Sequence, residues 1–88
     1  MISKDYMITS AEGIHARPAT ALVKLTKNYK STISIKKGEK KVNLNSLLNI
    51  LSLAAKGGET ISIIAEGEDE AVAMDAIDQF FNEDLKDL

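Results

Sequence analysis

With 88 residues, this chain has room for one small domain, spanning residues 1–88. It contains no cysteine and a single histidine, which excludes disulfides, thiol catalysis, thiolate-bound zinc and multi-histidine metal sites. The formal net charge of −2 argues against a nucleic-acid binder of the simple electrostatic kind. No signal peptide or apolar run of about 20 residues is recognisable, so the sequence predicts a cytoplasmic protein without membrane insertion.

The start of the chain combines an extended segment with a helix. A strand is predicted over 2–8, where apolar residues recur on one side except at Lys4. Apolar spacing then predicts a helix over 16–28. Pro18 must lie in the first turn of this helix, where no hydrogen bond needs its missing N–H group. The helix is therefore expected to begin directly after His15.

Strand patterns return in the second part of the chain. Residues 32–43 alternate around a turn at Gly38 and predict a hairpin, while the isoleucine-rich segment 60–66 predicts a further strand. A last helix is expected over 70–83, with one apolar face formed by Ala73, Ile77, Phe80 and Phe81. With the short helix described next, the order is βαββαβα. The simplest layered solution is an α+β fold with one four-stranded sheet covered on one face by three helices.

The short helix predicted over 47–53 is apolar on nearly every side. Either Asn45 or Ser46 can cap its N-terminus. Ile50 and Leu53 are expected to be in the core. Because a helix of two turns cannot bury all of its apolar side chains in so small a protein, the remainder is a candidate docking surface.

His15 stands at a predicted helix start, between Gly13 and Arg17. Free N–H groups and partial positive charge at a helix N-terminus disfavour a protonated ring and stabilise a bound phosphate. The Arg17 guanidinium matches phosphate oxygens, and Gly13 permits a sharp turn into the helix. A phosphoryl acceptor is one interpretation, and an incidental cap or surface histidine is the other. The sequence places no carboxylate or serine that would complete a hydrolytic triad.

The segment GIHARPAT (13–20) resembles the active-site signature of HPr, the phosphocarrier family of the bacterial sugar phosphotransferase system. Further likeness lies in VNLNSLLNILSLAA (42–55) and AEGEDE (65–70), and it extends over essentially the whole chain. The resemblance implies an open-faced β-sandwich, with a four-stranded antiparallel sheet and three helices on one face. It also implies a carrier without autonomous turnover, which needs no cofactor and acts as a monomer.

The resemblance assigns a role to each residue of the signature. His15 would accept a phosphoryl group on Nδ1 from enzyme I, which draws it from phosphoenolpyruvate. It would then pass the group to the EIIA domains of sugar permeases. Arg17 would assist at the phosphoryl group, and Pro18 would fix the helix start.

Ser46 matches the regulatory serine of Gram-positive family members, which HPr kinase/phosphorylase phosphorylates at the expense of ATP. A phosphate there adds about −1.5 to −2 charges at a helix N-terminus, where the dipole tolerates them. In the family the phosphoserine also creates a ligand for a catabolite-control repressor. From the residues alone, the favoured explanation of Ser46 is a helix N-cap.

A docking surface for enzyme I and EIIA is expected beside His15, and phosphorylation of Ser46 should weaken docking there. The leucines of this surface have core packing as their alternative, and its lysines can be ordinary solvated side chains. The residues assigned to it are Thr20, Lys24, Lys27, Leu47, Leu48 and Leu51.

A regulatory binding module that works through phosphorylated Ser46 is the alternative function. Paralogues of that kind typically lack the active histidine, so His15 with Arg17 argues for the carrier. An unrelated small α/β domain with a protein-binding patch is a third reading, which the signature disfavours.

Two departures from the family lie after the short helix. Ala54-Ala55 stands where many relatives have glycine at the first position, and it is expected to lengthen the helix slightly. Gly57-Gly58 is doubled where one glycine is usual.

Overall fold

A computed structural model describes residues 1–8 and 12–83 of the chain. The elements in chain order are β1 Ile2–Met7, α1 Ala16–Thr26, β2 Thr32–Lys37, β3 Lys40–Asn43, α2 Leu47–Ser52, β4 Thr60–Glu66 and α3 Glu70–Asn82. The four strands form one antiparallel sheet in the order β1-β4-β2-β3, and the three helices cover one face, which confirms the predicted open-faced α+β architecture. None of the helices in the described residues has the length and hydropathy that a membrane span requires.

The core lies between the sheet and the helices, and β4 is a central strand of the sheet. Ile61, Ile63 and Ala65 alternate inward along β4, and Ile63 is paired in register with the buried Ile35 of β2. Strand alternation of this kind puts a continuous apolar face against the helices. The helical side of the core includes the four residues predicted for α3, all of them buried: Ala73, Ile77, Phe80 and Phe81.

Lys4 interrupts the apolar side of β1 because it pairs with an acid of α3. Its ammonium lies 3.2 Å from Asp78 Oδ2, and the neighbouring Tyr6 hydroxyl donates to Asp78 Oδ1. The Tyr6 hydrogen bond, followed by Lys4, lowers the pKa of the Asp78 carboxyl. Burial, followed by the same hydrogen bond, raises the pKa of Tyr6. The break in the alternation is thus a polar tie between the edge strand and the last helix.

The helix α1 is two residues shorter than the predicted span 16–28. The amide of Asn28 bonds to the carbonyl of Leu25, and that of Tyr29 bonds to the carbonyl of Thr26. These three-residue steps tighten the last turn, as is common at helix C-termini, and they end the α-helical pattern.

The helix α2 begins as predicted but is not lengthened. Ser46 caps it, since the Ser46 hydroxyl accepts a hydrogen bond from the Asn49 amide at 3.3 Å. The helix ends at Ser52, and Ala54 takes a positive φ of 52°. The expected extension through Ala54-Ala55 is wrong, because Ala54 adopts the left-handed conformation that usually terminates a helix at glycine.

We expect Ala54→Gly to raise the free energy of unfolding by about 1 kcal/mol. An L-residue pays for the left-handed conformation, and glycine removes that strain at some cost in the entropy of the unfolded chain. Chemical denaturation measures the change. The matched control is Ala76→Gly within α3, which should lower the free energy of unfolding by about 1 kcal/mol. Equal destabilisation by both changes would contradict a strained Ala54.

Candidate functional site

His15 is the N-cap residue of α1. Its backbone is extended, with φ −95° and ψ −165°, and its carbonyl accepts the Ala19 amide at 3.0 Å. The helix begins at Ala16, and no acidic residue lies in its first turn. The prediction that the helix starts directly after the histidine is therefore confirmed. The free N–H groups of the first turn therefore lie at the end of the helix that His15 caps.

The turn before His15 is pressed against the connection between α2 and β4. Gly13 has φ +74°, and a Cβ atom there would lie 2.2 Å from the carbonyl oxygen of Ala55. The next amide, that of Ile14, donates to the same oxygen at 3.0 Å. Only glycine fits at position 13, both for its conformation and for this close approach.

The imidazole of His15 has one nitrogen, Nε2, in a buried position. The side chain is 30% exposed, but Nε2 is fully buried and has no hydrogen-bond partner within residues 1–8 and 12–83. Glu12 Oε2 lies 3.2 Å from Nε2 without hydrogen-bond geometry. No carboxylate was predicted beside the histidine from the sequence. The only signal was the three-residue spacing across Gly13, and that spacing alone is not specific.

Three of the predicted site residues share one shallow groove along α1. Arg17, Thr20 and Lys24 line it and are all exposed. The Thr20 hydroxyl donates to the carbonyl of Ala16 at 2.7 Å, so this side chain turns back onto its own helix. Pro18 is buried in the first turn, as predicted. The groove thus joins the arginine beside the histidine to positive charge farther along the helix.

Lys27 does not belong to this groove. It lies just beyond the end of α1 as its C-cap residue and lines a second, more polar groove with Tyr29, Asn43 and Asn45. The sequence assigned Lys24 and Lys27 to one docking surface, and the structure places them at different grooves.

The helix α2 divides its apolar residues between core and surface as predicted. Ile50 and Leu53 are buried, whereas Leu48 is 78% exposed and Leu47 and Leu51 are each 37% exposed. Leu48 is therefore a surface residue, whereas Leu47 and Leu51 are partly packed into the protein. Since α1 and α2 pack against each other, the leucines lie on the helix next to the one that begins at the histidine. Their docking role stays a prediction.

The chain is similar to known proteins of the HPr type. The HPr-like protein Crh of Halalkalibacterium halodurans is 38% identical over 84 residues, which is 96% of this chain and 100% of the relative. The solved histidine-containing phosphocarrier protein of a mycoplasma is 37% identical, with a TM-score of 0.91 and 96% of each chain covered. Crh of Bacillus subtilis, solved as a dimer with domain swapping, is 31% identical, with a TM-score of 0.75 and 94% and 95% covered.

A family model points the same way. The model described as the phosphotransferase-system HPr component phosphorylation site matches residues 2–83. That span contains the turn before His15, all four strands of the sheet and the helices α1, α2 and α3. Because the match covers nearly the whole chain, this protein belongs to the HPr family of phosphocarriers.

Proposed function

We propose that this protein carries a phosphoryl group on Nδ1 of His15. It accepts the group from phosphorylated enzyme I and passes it to EIIA domains of sugar permeases. The single observation that carries the proposal is the position of His15 as N-cap of α1, with Nε2 buried and turned toward Glu12. Nδ1 lies on another side of the ring and is the nitrogen left for an incoming group.

The surroundings of His15 suit transfer of a phosphoryl group between two nucleophiles. As Nδ1 forms its bond to phosphorus, the bond to the donor breaks, and charge spreads over the three phosphoryl oxygens. The N-terminus of α1 stabilises that charge through free N–H groups and the helix dipole. Arg17, exposed in the first turn of the same helix, adds a fixed positive charge. The protein supplies position and charge, and its partners supply the turnover.

Glu12 contributes to the choice of tautomer through its negative charge, since it makes no hydrogen bond to Nε2. A carboxylate 3.2 Å from Nε2 favours a proton on that nitrogen, which leaves the lone pair on Nδ1 free to attack phosphorus. NMR chemical shifts of the two ring nitrogens report the tautomer and check this assignment.

The regulatory function is a second candidate, favoured by the Crh relative from Halalkalibacterium halodurans. In it, HPr kinase/phosphorylase would phosphorylate Ser46, and a catabolite-control repressor would bind the product. Ser46 is half-buried at the start of α2, immediately before the exposed Leu47 and Leu48. A phosphate there would place about −1.5 to −2 charges beside an apolar docking surface and so slow transfer to His15. One protein can hold both roles.

The docking partners follow from the same surfaces. Enzyme I and EIIA would contact the groove of α1, which Thr20 and Lys24 line, and the exposed leucines of α2. Lys27, in the neighbouring groove, would lie at the margin of this surface. The proposed transfer needs no cofactor. The protein is expected to act in the cytoplasm. A monomer stays a prediction, and the swapped dimer of the Bacillus subtilis relative stands against it.

His15→Ala should abolish phosphorylation by enzyme I and phosphoenolpyruvate. The wild type should form an acid-labile, base-stable phosphoprotein, because a phosphoryl group on an imidazole nitrogen has that stability. Radiolabel retained after acid and alkaline treatment measures it. An unlabelled wild type, in the presence of active enzyme I, would refute the carrier function.

Arg17→Ala should lower the rate of transfer from enzyme I about 10- to 100-fold. That range corresponds to the loss of a hydrogen bond to a charged group, about 1.5–3 kcal/mol. Arg17→Lys is the matched control, since it keeps the charge but loses the planar fork, and its rate should lie between the other two. Rapid-quench kinetics measures the rates. If Arg17→Ala transfers as fast as the wild type, the assigned role of Arg17 is wrong.

Ser46→Ala should prevent phosphorylation by HPr kinase/phosphorylase and ATP, whereas the wild type should give an acid-stable phosphoprotein. Ser52→Ala is the control on the same helix. Ser52 is exposed, but it does not match the regulatory serine, so its loss should leave the labelling unchanged. Phosphoprotein is counted by mass spectrometry, and circular dichroism checks that each variant is folded. Absence of label on the wild type would leave the carrier role intact and remove the regulatory one.

A further inference from the structure

Lys37 reaches from the end of β2 to the chain segment that follows α2. Its ammonium donates to the carbonyl oxygens of Leu53 and Ala54, at 3.2 Å each. It also lies 3.2 Å from Glu59 Oε1, and its side chain is only 28% exposed. Three oxygens therefore surround a group that has three N–H donors, so the hydrogen-bonding capacity of the ammonium is matched.

The carbonyls that Lys37 contacts need a partner. They follow the last turn of α2, where carbonyl groups have no amide donor in the helix and carry partial negative charge. Lys40 adds a second ammonium at this end, 3.1 Å from the carbonyl oxygen of Ser52. Both lysines come from the β2–β3 hairpin, so the hairpin caps the C-terminus of α2 with positive charge.

Glu59 closes the arrangement from the other side. Its Oε1 accepts the backbone amide of Lys56 at 2.6 Å while facing the ammonium of Lys37. The Lys56 amide, followed by Lys37, lowers the pKa of the Glu59 carboxyl. Segment 53–56 is thus held at its beginning by the ammonium and at its end by the carboxylate.

The same segment supports the turn that leads into His15. Ala55, which is buried, lies between the two held ends and accepts the amide of Ile14 at 3.0 Å. Ile14 immediately precedes the histidine in the chain. A displacement of segment 53–56 would therefore be transmitted through one backbone hydrogen bond to the peptide that orients the imidazole.

We propose that Lys37 is a positioning residue for phosphoryl transfer. Its ammonium holds segment 53–56 in place and, through Ala55 and Ile14, fixes the backbone before His15. This inference rests on the proposed carrier function, because it assigns Lys37 a role in that reaction without contact to the phosphoryl group. Without the ammonium, the carbonyls of Leu53 and Ala54 turn to water, and the support of the histidine turn loosens.

Two measurements on the full chain test the inference with Lys37→Met, which keeps the length of the side chain and removes its donors. Amide hydrogen exchange at Ile14 should speed up about two- to tenfold, the range expected for loss of a hydrogen bond of ordinary net strength. Exchange at Ile63 in the central strand β4 should change less. In steady-state transfer from enzyme I, kcat should fall about two- to tenfold, with a smaller change in KM, because alignment of the histidine is altered rather than docking.

Lys36→Met is the matched control, since Lys36 is the exposed neighbour on the same strand. It should leave both Ile14 exchange and kcat at their wild-type values. Equal acceleration at Ile14 and Ile63 in Lys37→Met would mean a general loss of stability and would overturn the inference. If the wild type takes no phosphoryl group from enzyme I, the carrier function fails and the inference fails with it. If the wild type is phosphorylated and Lys37→Met transfers at the same rate, only the inference fails.

Discussion

The site depends on one backbone contact, the hydrogen bond from the Ile14 amide to the carbonyl of Ala55. It joins the residue before the histidine to the segment after α2, and Gly13 lets the two backbones approach closely enough to form it. Because this hydrogen bond joins two backbone groups, it does not require a particular side chain at position 14 or 55. What the sequence must supply is the absence of a Cβ atom at position 13. The histidine is consequently positioned by two parts of the fold at once.

The sheet brings these two parts together. At the end of β1 and the start of β4, the amide of Ile8 donates to the carbonyl of Glu59, and the amide of Gly58 donates to the carbonyl of Ile8. The chain therefore leaves β1 beside residues 58–59, which directly follow the segment that contains Ala55, the acceptor of the Ile14 amide. Antiparallel pairing of β1 with β4 makes this approach a consequence of register, since Met7 lies opposite Thr60. The position of the histidine turn is in this sense set by the pairing of two strands.

Sequence patterns predicted the parts of this arrangement that arise from local chemistry. The element order, the helix start at His15, the buried Pro18 and the division of α2 into core and surface all follow from periodicity and from the backbone limits of proline and glycine. Such patterns describe one element at a time. They identify what an element is, and they carry little information about which polar groups meet when elements pack.

The features that the sequence did not predict depend on polar contacts between packed elements. Lys37 lies 16 positions before Leu53, and its ammonium reaches the end of α2 because the β2–β3 hairpin packs against that helix through β3. The left-handed conformation of Ala54 was also not predictable from the sequence. Alanine does not favour this conformation, so the surrounding contacts must hold it in place. A six-residue helix is too short to be stable alone, yet α2 keeps three leucines partly or largely in solvent. Ser46 holds its first turn and Lys37 and Lys40 hold its last. The polar contacts at its two ends therefore help to hold a short helix whose three leucines are not fully buried.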